Sequence, residues 1–231
     1  MFSSLIPMLK GKAILHMGCQ DCGNDEAYLG VKVLNKLGLD VDVKEFSCGC
    51  EFFGTDESRI EALAEENRAF LKDYSQVIVG CARCYHVFRE FYDIKAKHIS
   101  QVIYERLRSA EGQFIGSGEV FYHDPCYLAR FHRLVDEPRE VLRMLGYTIR
   151  EFKHNKSRTD CCGGYSPIRI LRQRGAEMRL AQVPKKCVVT AACPKCTMNF
   201  KDFNAPDSRI EIRQFLDLVD YALNIEIPAV Y

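Results

Sequence analysis

The chain has 231 residues, 47% of them hydrophobic and 27% charged, which is ordinary for a soluble globular protein. Its 32 basic and 31 acidic residues leave a formal net charge of +1, so no global field favours nucleic acid or an acidic membrane surface. No apolar stretch reaches the roughly 18 residues of a membrane span. The segment Met1–Leu9 is too short and too poorly charged for a secretory signal. We therefore expect a soluble cytosolic protein, or a peripheral subunit of a membrane complex, whose twelve cysteines stay reduced.

The first half of the chain predicts alternating strands and helices. Its predicted strands cover residues 13–16, 39–46 and 77–79, and its predicted helices cover about 24–37, 57–74 and 84–91. Asn24 or Asp25 caps the first helix, and Gly38 ends it. The strands lead to cysteines, which are Cys19, Cys48, Cys50, Cys81 and Cys84. Such alternation predicts a small parallel sheet flanked by helices, with the cysteine loops together at the carboxyl ends of its strands.

The second half repeats this order. Its predicted strands cover residues 119–122, 147–152 and 187–191, and its predicted helices cover 137–145, 169–181 and a segment that begins at Cys193. The loops again carry cysteines, which are Cys126, Cys161, Cys162, Cys193 and Cys196. This internal duplication predicts an α/β protein of two domains, residues 1–112 and 113–231, with the glycine-rich segment 109–118 as the linker.

The cysteine spacing indicates metal ligands rather than disulfides. The adjacent Cys161 and Cys162 cannot easily bridge to each other, because a vicinal disulfide forces strained geometry. Gly163 and Gly164 after them suit close approach of the backbone to a bulky inorganic group. Cys193 and Cys196 are separated by two residues at the predicted start of a helix, so both sulfur atoms can point at one position. The helix N-terminus there favours the thiolate form.

Three motifs in the second half resemble those of the cysteine-rich CCG domain family. They are His123-Asp124-Pro125-Cys126, Cys161-Cys162-Gly163-Gly164 and Cys193-Pro194-Lys195-Cys196. The resemblance covers nearly the whole chain as two tandem, pseudo-symmetric CCG domains. The family includes the B and D subunits of heterodisulfide reductases, iron-sulfur subunits of glycolate and lactate oxidases, and a subunit of type-E succinate:quinone reductases.

The resemblance implies iron-sulfur chemistry. In heterodisulfide reductase, five cysteines of each CCG domain hold a noncubane 4Fe-4S cluster, and the two clusters split a disulfide by giving one electron to each sulfur. Carried onto this chain, the catalytic and cluster-binding set is Cys126, Cys161, Cys162, Cys193 and Cys196. The corresponding cluster-binding set of the first half is Cys19, Cys48, Cys50, Cys81 and Cys84.

The first set departs from the family pattern, because Gly49 separates Cys48 from Cys50 and an added Cys22 follows Cys19. One extra residue can move a sulfur atom by about 3 Å. Three alternatives stand for the first half: the same noncubane cluster held through a local bulge, a different cluster, or a zinc ion in a closed thiolate site. Cys22 is either a ligand or a spare thiol.

The chain lacks the ferredoxin run C-x2-C-x2-C-x3-C and a dinucleotide-binding fingerprint, so its electrons come from elsewhere. We expect a separate electron-donating iron-sulfur or flavin subunit and a small thiol or disulfide substrate of the coenzyme M–coenzyme B type. The leading hypothesis is an oxidoreductase subunit that resembles the B subunit of heterodisulfide reductase and is active only within a complex. The alternatives are an electron relay in a lactate-, glycolate- or succinate-oxidising complex, and a structural zinc-binding subunit.

Other residues near the cysteines have more than one interpretation. His123 and His86 either donate hydrogen bonds or protons to the site, or pack around it. Asp124 is expected to shape the turn before the first cysteine of the second set, and Cys187 is expected to pack in the core. The arginine-rich run 169–179 is expected to be a solvated helix face, with a docking patch for an electron-transfer partner as the alternative.

Overall fold

The computed structural model describes residues 12–18, 24–44, 46–110 and 114–224, apart from the side chains of residues 24–27. In these residues the chain forms two parallel four-stranded sheets flanked by helices. This confirms the predicted α/β fold with one small parallel sheet in each half. Cys19 and Cys22 lie outside the described residues, so nothing in the structure bears on their predicted roles.

The first half contributes strands β1 to β4 and helices α1 to α4. The strands are Ala13–His16, Val41–Val43, Gln76–Val79 and Lys97–His98. The helices are Asn24–Lys36, Glu57–Leu71, Ala82–Glu90 and Ile99–Leu107. The strands lie in the order β2-β1-β3-β4, and all are parallel.

The second half contributes strands β5 to β8 and helices α5 to α8. The strands are Glu119–Tyr122, Thr148–Glu151, Val188–Thr190 and Glu211–Ile212. The helices are Glu137–Met144, Arg169–Leu180, Pro194–Phe203 and Phe215–Ala222, and a π-helical turn covers Tyr127–Phe131. The parallel order β6-β5-β7-β8 repeats that of the first sheet, as the duplication predicts.

Each half ends with a strand and a helix that the sequence analysis did not predict. The strands β4 and β8 are only two residues long, and three of their four residues are polar. A pair of residues this short shows no apolar alternation, so the sequence gives no sign of the strand. The strand β2 is also shorter than the predicted 39–46, because only Val41–Val43 pairs with β1.

The two halves pack through these unpredicted helices. Helix α4 of the first half packs on α5 of the second, and α8 of the second half packs on α1 of the first. Since α4 corresponds to α8 and α1 to α5, the two contacts are related by an approximate two-fold axis. Both hydrophobic cores draw residues from both halves. The domain boundary near residue 112 stays a prediction, since residues 111–113 lie outside the described ranges.

Candidate metal centres

Two groups of cysteines lie where the sheets meet their helices. Cys81 is the N-cap of α3 directly after β3, and Cys193 is the N-cap of α7 directly after β7. Pro194 opens α7, where its fixed φ favours the first helical turn. The carboxyl edge of each sheet therefore presents cysteine sulfurs, as the alternating pattern predicts.

The five cysteines of the second half form one continuous group of sulfur atoms. The Sγ atoms of Cys162 and Cys196 are 3.2 Å apart, and those of Cys126 and Cys161 are 3.7 Å apart. Cys161 also contacts Cys162, and Cys193 contacts Cys196. Two thiolates on one tetrahedral metal ion are about 3.7 Å apart, given metal–sulfur bonds of about 2.3 Å. All five cysteines are reduced, so the group has ligand spacing without cystine bonds.

The close contact of these thiols shifts their pKa values. Hydrogen bonding to Cys161 raises the pKa values of Cys126 and Cys162, and hydrogen bonds from those two thiols lower the pKa of Cys161. The hydrogen bond from Cys196 lowers the pKa of Cys193, but contact with Cys81 and burial together raise it to about 12. Several thiolates this close repel one another, whereas a metal ion deprotonates the thiols that coordinate it. The donor set therefore suits an iron-sulfur cluster or another thiolate-bound metal.

The two glycines after the adjacent cysteines bring backbone N–H groups to sulfur. Gly163 N donates to Cys161 Sγ at 3.3 Å, and Gly164 N donates to Cys162 Sγ at 3.4 Å. Gly163 has a φ of +84°, and a Cβ atom there would lie 2.8 Å from the carbonyl oxygen of Leu171. The glycines thus permit close approach to protein backbone on this side, and their N–H groups point at the sulfurs of Cys161 and Cys162.

In the first half, three of the described cysteines gather in the same way despite the inserted residue. Cys84 Sγ is 3.1 Å from Cys48 Sγ and 3.6 Å from Cys50 Sγ. Gly49 between them adopts the left-handed conformation, with a φ of +66°, and its N–H donates to Ser47 Oγ. The insertion is therefore absorbed by a local turn that keeps both sulfurs at one point.

A buried histidine adjoins the sulfurs in each half. In the first half, the group consists of His16, Cys48 and Cys84, each with one potential ligand atom within 4.8 Å of the others. The corresponding group of the second half consists of His123, Cys162 and Cys196. The order of the cysteines in the sequence aligns Cys50 with Cys162, but by this geometry Cys48 corresponds to Cys162. His16 was not among the predicted site residues, although the spacing His-x2-Cys before the first cysteine is common to both halves.

Neither ring nitrogen of His123 has a hydrogen-bond partner among the described residues, and burial lowers the pKa of this residue to about 3. The ring lies against Phe152 and Phe200, so it is a neutral imidazole in an apolar surrounding. A buried, unpaired imidazole beside thiols is a potential ligand or hydrogen-bond donor to a bound cluster.

Tyr165 joins the two groups of cysteines. Its hydroxyl group lies 2.6 Å from Cys81 Sγ of the first half and 4.0 Å from Cys193 Sγ of the second. Burial, followed by the charges of Cys193 and Cys81, raises the pKa of Tyr165 well above its usual range, so the phenol stays protonated. Sequence analysis did not single out this residue, and its position directly after Gly163-Gly164 is the one signal that marks it.

A buried ion pair positions the loops of the second group. Arg139 of α5 donates to both carboxylate oxygens of Asp124 at 2.7 Å, and it also bonds Glu151 of β6. Asp124 further accepts from Lys156 N, and its carbonyl oxygen accepts from Thr159 Oγ1. Asp124 therefore shapes the turn before Cys126, as predicted, and ties it to the loop that leads to Cys161.

The remaining predicted residues lie apart from the sulfur groups. Cys187 is partly buried against the first core and precedes β7, whereas the predicted ligands follow that strand, which agrees with the predicted packing role. Arg179, predicted on a solvated face, is fully buried instead. It bonds Asp160 and the carbonyl oxygen of His154, because α6 turns this position toward the loop before Cys161.

The fold and these sulfur groups define an α/β protein with a cysteine-rich metal centre in each half. The cysteine-rich CCG domain matches the chain twice, over residues 13–89 and 120–201. The chain therefore belongs to the CCG family, and the predicted resemblance is confirmed. Its cysteine-rich domains and its cysteine and histidine groups indicate iron-sulfur clusters.

Several curated proteins are similar to this chain. The B subunit of fumarate reductase (CoM/CoB) from Methanothermobacter marburgensis is 27% identical over 83% of the chain and 42% of its own length. A probable membrane-anchored ferredoxin of Chromohalobacter salexigens is 31% identical over 75% of the chain and 29% of its own length. The D subunit of dihydromethanophenazine:CoB–CoM heterodisulfide reductase from Methanosarcina acetivorans is 25% identical over 87% of the chain and 56% of its own length.

The chain thus spans about a third to just over a half of the length of these relatives. It is related to iron-sulfur oxidoreductase subunits of more than one kind of redox complex. No helix in the described part of the chain is both long and apolar enough to cross a membrane.

Proposed function

We propose that this chain is an iron-sulfur subunit of an oxidoreductase complex and that it cleaves or forms a small disulfide of the coenzyme M–coenzyme B type. The catalytic set holds one noncubane 4Fe-4S cluster through Cys126, Cys161, Cys162, Cys193 and Cys196. The first set holds a second cluster through Cys19, Cys48, Cys50, Cys81 and Cys84. Each set belongs to its own domain, residues 1–112 and 113–231.

The contact between the two sets at Tyr165 is the observation that carries this proposal. Cys81 and Cys193 belong to different halves, yet one phenol hydroxyl group lies within 4.0 Å of both sulfurs. Two clusters bound through these cysteines would adjoin each other. A substrate between them would have one electron donor for each of its two sulfurs.

Disulfide reduction needs two such donors. The reaction is RSSR′ + 2e⁻ + 2H⁺ → RSH + R′SH, in which the S–S bond breaks and each sulfur gains one electron and one proton. Bound iron-sulfur clusters supply single electrons. The chain itself provides the ligands and the N–H donors of Gly163 and Gly164. It also leaves Cys161 exposed, so the catalytic set is open to solvent and to a small molecule on that side.

The electrons come from a separate iron-sulfur or flavin subunit. Support for a complex comes from the relatives, because several of them are named as subunits of fumarate or heterodisulfide reductases. The chain supplies neither a ferredoxin run nor a nucleotide fingerprint of its own.

Anaerobic electron paramagnetic resonance tests the proposal. The oxidised, cluster-loaded chain is mixed with coenzyme M thiol or with the coenzyme M–coenzyme B disulfide after partial reduction. We expect a new paramagnetic signal from substrate sulfur at the cluster, and we expect it to be absent from Cys161→Ser and present in the control Cys187→Ser. A signal that persists in Cys161→Ser, or one that is absent from the wild type, would contradict disulfide chemistry at this set.

The second candidate function is that of an electron relay. It is favoured by similarity to the EtfAB:quinone oxidoreductase of Syntrophomonas wolfei, which is 27% identical over 58% of the chain. A relay in a lactate-, glycolate- or succinate-oxidising complex has clusters whose redox titration is unchanged by small thiols and disulfides. The same resonance experiment therefore separates the two functions.

A further inference from the structure

Two histidines and a glutamate form a cluster between the two halves, outside both groups of cysteines. His86 and Glu90 stand one turn apart on α3, and His132 follows the π-helical turn of the second half. His86 Nδ1 is 3.1 Å from His132 Nε2, and His132 Nδ1 is 3.9 Å from Glu90 Oε1. One ligand atom of each residue lies within 4.8 Å of the other two.

The mutual approach of one ligand atom from each residue, within 4.8 Å, suits three ligands on one small transition-metal ion. Two nitrogen ligands on a tetrahedral zinc ion are about 3.3 Å apart, because the Zn–N bonds are about 2.0 to 2.1 Å long. The histidine pair reaches this separation with a slight opening. The side chain of Glu90 is 54% exposed, so its carboxylate can turn toward the ion and the fourth position remains accessible to water.

Aromatic side chains hold the two imidazole rings in place. The ring of His132 packs edge-on against Tyr85, with 4.9 Å between ring centroids. The ring of His86 lies 5.1 Å from Phe53 and 4.7 Å from Phe131. Because the rings are already ordered, metal binding would cost little side-chain entropy.

The surrounding charges are mixed. Arg83 and Arg89 place positive charge near the histidines, and Glu90 opposes it. A metal ion binds the neutral form of an imidazole ring. The carboxylate of Glu90 is then the group that offsets the charge of the ion.

We propose that His86, Glu90 and His132 form a binding site for a divalent transition metal of the zinc class. Two imidazoles and one carboxylate match the ligand preference of Zn²⁺, whereas Mg²⁺ and Ca²⁺ prefer oxygen ligands alone. The ion joins α3, which follows Cys81, to the segment that follows Cys126. It therefore fastens the two halves together next to the cysteine groups, without being part of either.

Zinc binding to the cluster-loaded chain tests this site. The anaerobic protein is freed of loosely bound metal with a chelator and equilibrated with Zn²⁺, and its zinc K-edge X-ray absorption is recorded. We expect one zinc ion per chain with only nitrogen and oxygen neighbours. The variants His132→Gln and Glu90→Gln should each weaken zinc binding by at least about tenfold, while iron and sulfide contents stay at the wild-type level.

His154→Gln is the matched control, because His154 also pairs with a carboxylate but lies elsewhere in the second half. It should bind zinc as the wild type does. Glu90 is exposed, so Glu90→Gln tests the site even where His132→Gln perturbs folding. Sulfur neighbours around zinc, unchanged zinc affinity in Glu90→Gln, or no zinc binding by the cluster-loaded wild type would each overturn the proposal.

Discussion

Single side chains around the sulfurs set the environment of each centre. Spacing in the sequence predicts which cysteines come together, because turns after strands bring their residues to one edge of a sheet. The cysteine spacing does not reveal Tyr165, whose importance comes from contacts between distant segments. His16 is marked only by the His-x2-Cys spacing that both halves share. Arg179 was predicted to be solvated, because a charged residue in a helix is usually exposed. It is buried instead, and its partner Asp160 is not evident from the sequence.

We expect Tyr165→Phe to lower the reduction potential of the cluster that Cys81 binds. When Cys81 is a thiolate ligand, the phenol at 2.6 Å donates to it and stabilises the more negative, reduced state. Loss of this hydrogen bond should lower the midpoint by on the order of 50 mV in a redox titration. Tyr127→Phe is the control, because its ring packs edge-on against Tyr165 at 5.8 Å. Equal shifts in both variants would refute the role of the phenol.

Turns and loops decide how each element presents its ligands. The sequence predicts the existence and order of the first three strands and helices of each half, since hydrophobic periodicity and helix caps mark them, but it makes β2 too long. It does not predict β4 or β8, which are too short to show a pattern, and so it also misses the helices after them. The sequence alone does not show whether the inserted Gly49 displaces a cysteine sulfur, because that depends on the backbone conformation of the turn.

We expect Gly49→Ala to reduce metal binding by the first group. An alanine at a φ of +66° is strained by about 1 to 2 kcal/mol, and its Cβ would lie 3.0 Å from both Leu63 Cδ1 and Tyr92 Oη. Gly54→Ala is the matched control, since Gly54 has a similar φ of +79° but no atom within 4 Å of an added Cβ. Iron content and urea midpoints should fall further in Gly49→Ala, and equal effects would show that the crowding is unimportant.

We expect Arg139→Met to destabilise the second half strongly. The substitution leaves Asp124 buried without its ion-pair partner, which typically costs about 3 to 5 kcal/mol. Arg150→Met removes an exposed, solvent-screened pair with Glu119 and should destabilise the protein much less. Chemical unfolding monitored by circular dichroism measures both. A loss below that of Arg150→Met would show that the buried pair does not hold these loops.

The whole molecule is a duplicated unit whose copies share their cores. The duplication is visible in the sequence, but the way the copies pack is not. Two of the contacts between the halves involve the unpredicted helices α4 and α8, and a third joins α3 to the π-helical turn Tyr127–Phe131. The packing of α4 on α5 and of α8 on α1 relates the two halves by an approximate two-fold axis. Tyr165 adjoins Cys81 of the first half and Cys193 of the second, which is the contact on which the proposed function rests.

Metal and sulfide analysis of the anaerobically purified chain tests the central claim most directly, namely that each half holds an iron-sulfur cluster through its cysteines. Two 4Fe-4S clusters predict about eight iron atoms and about eight acid-labile sulfides per chain. Cys162→Ser and Cys50→Ser should each lose about half of both, whereas Cys187→Ser should lose neither. Zinc coordinated by sulfur with no acid-labile sulfide, or full iron content in Cys162→Ser, would contradict the account.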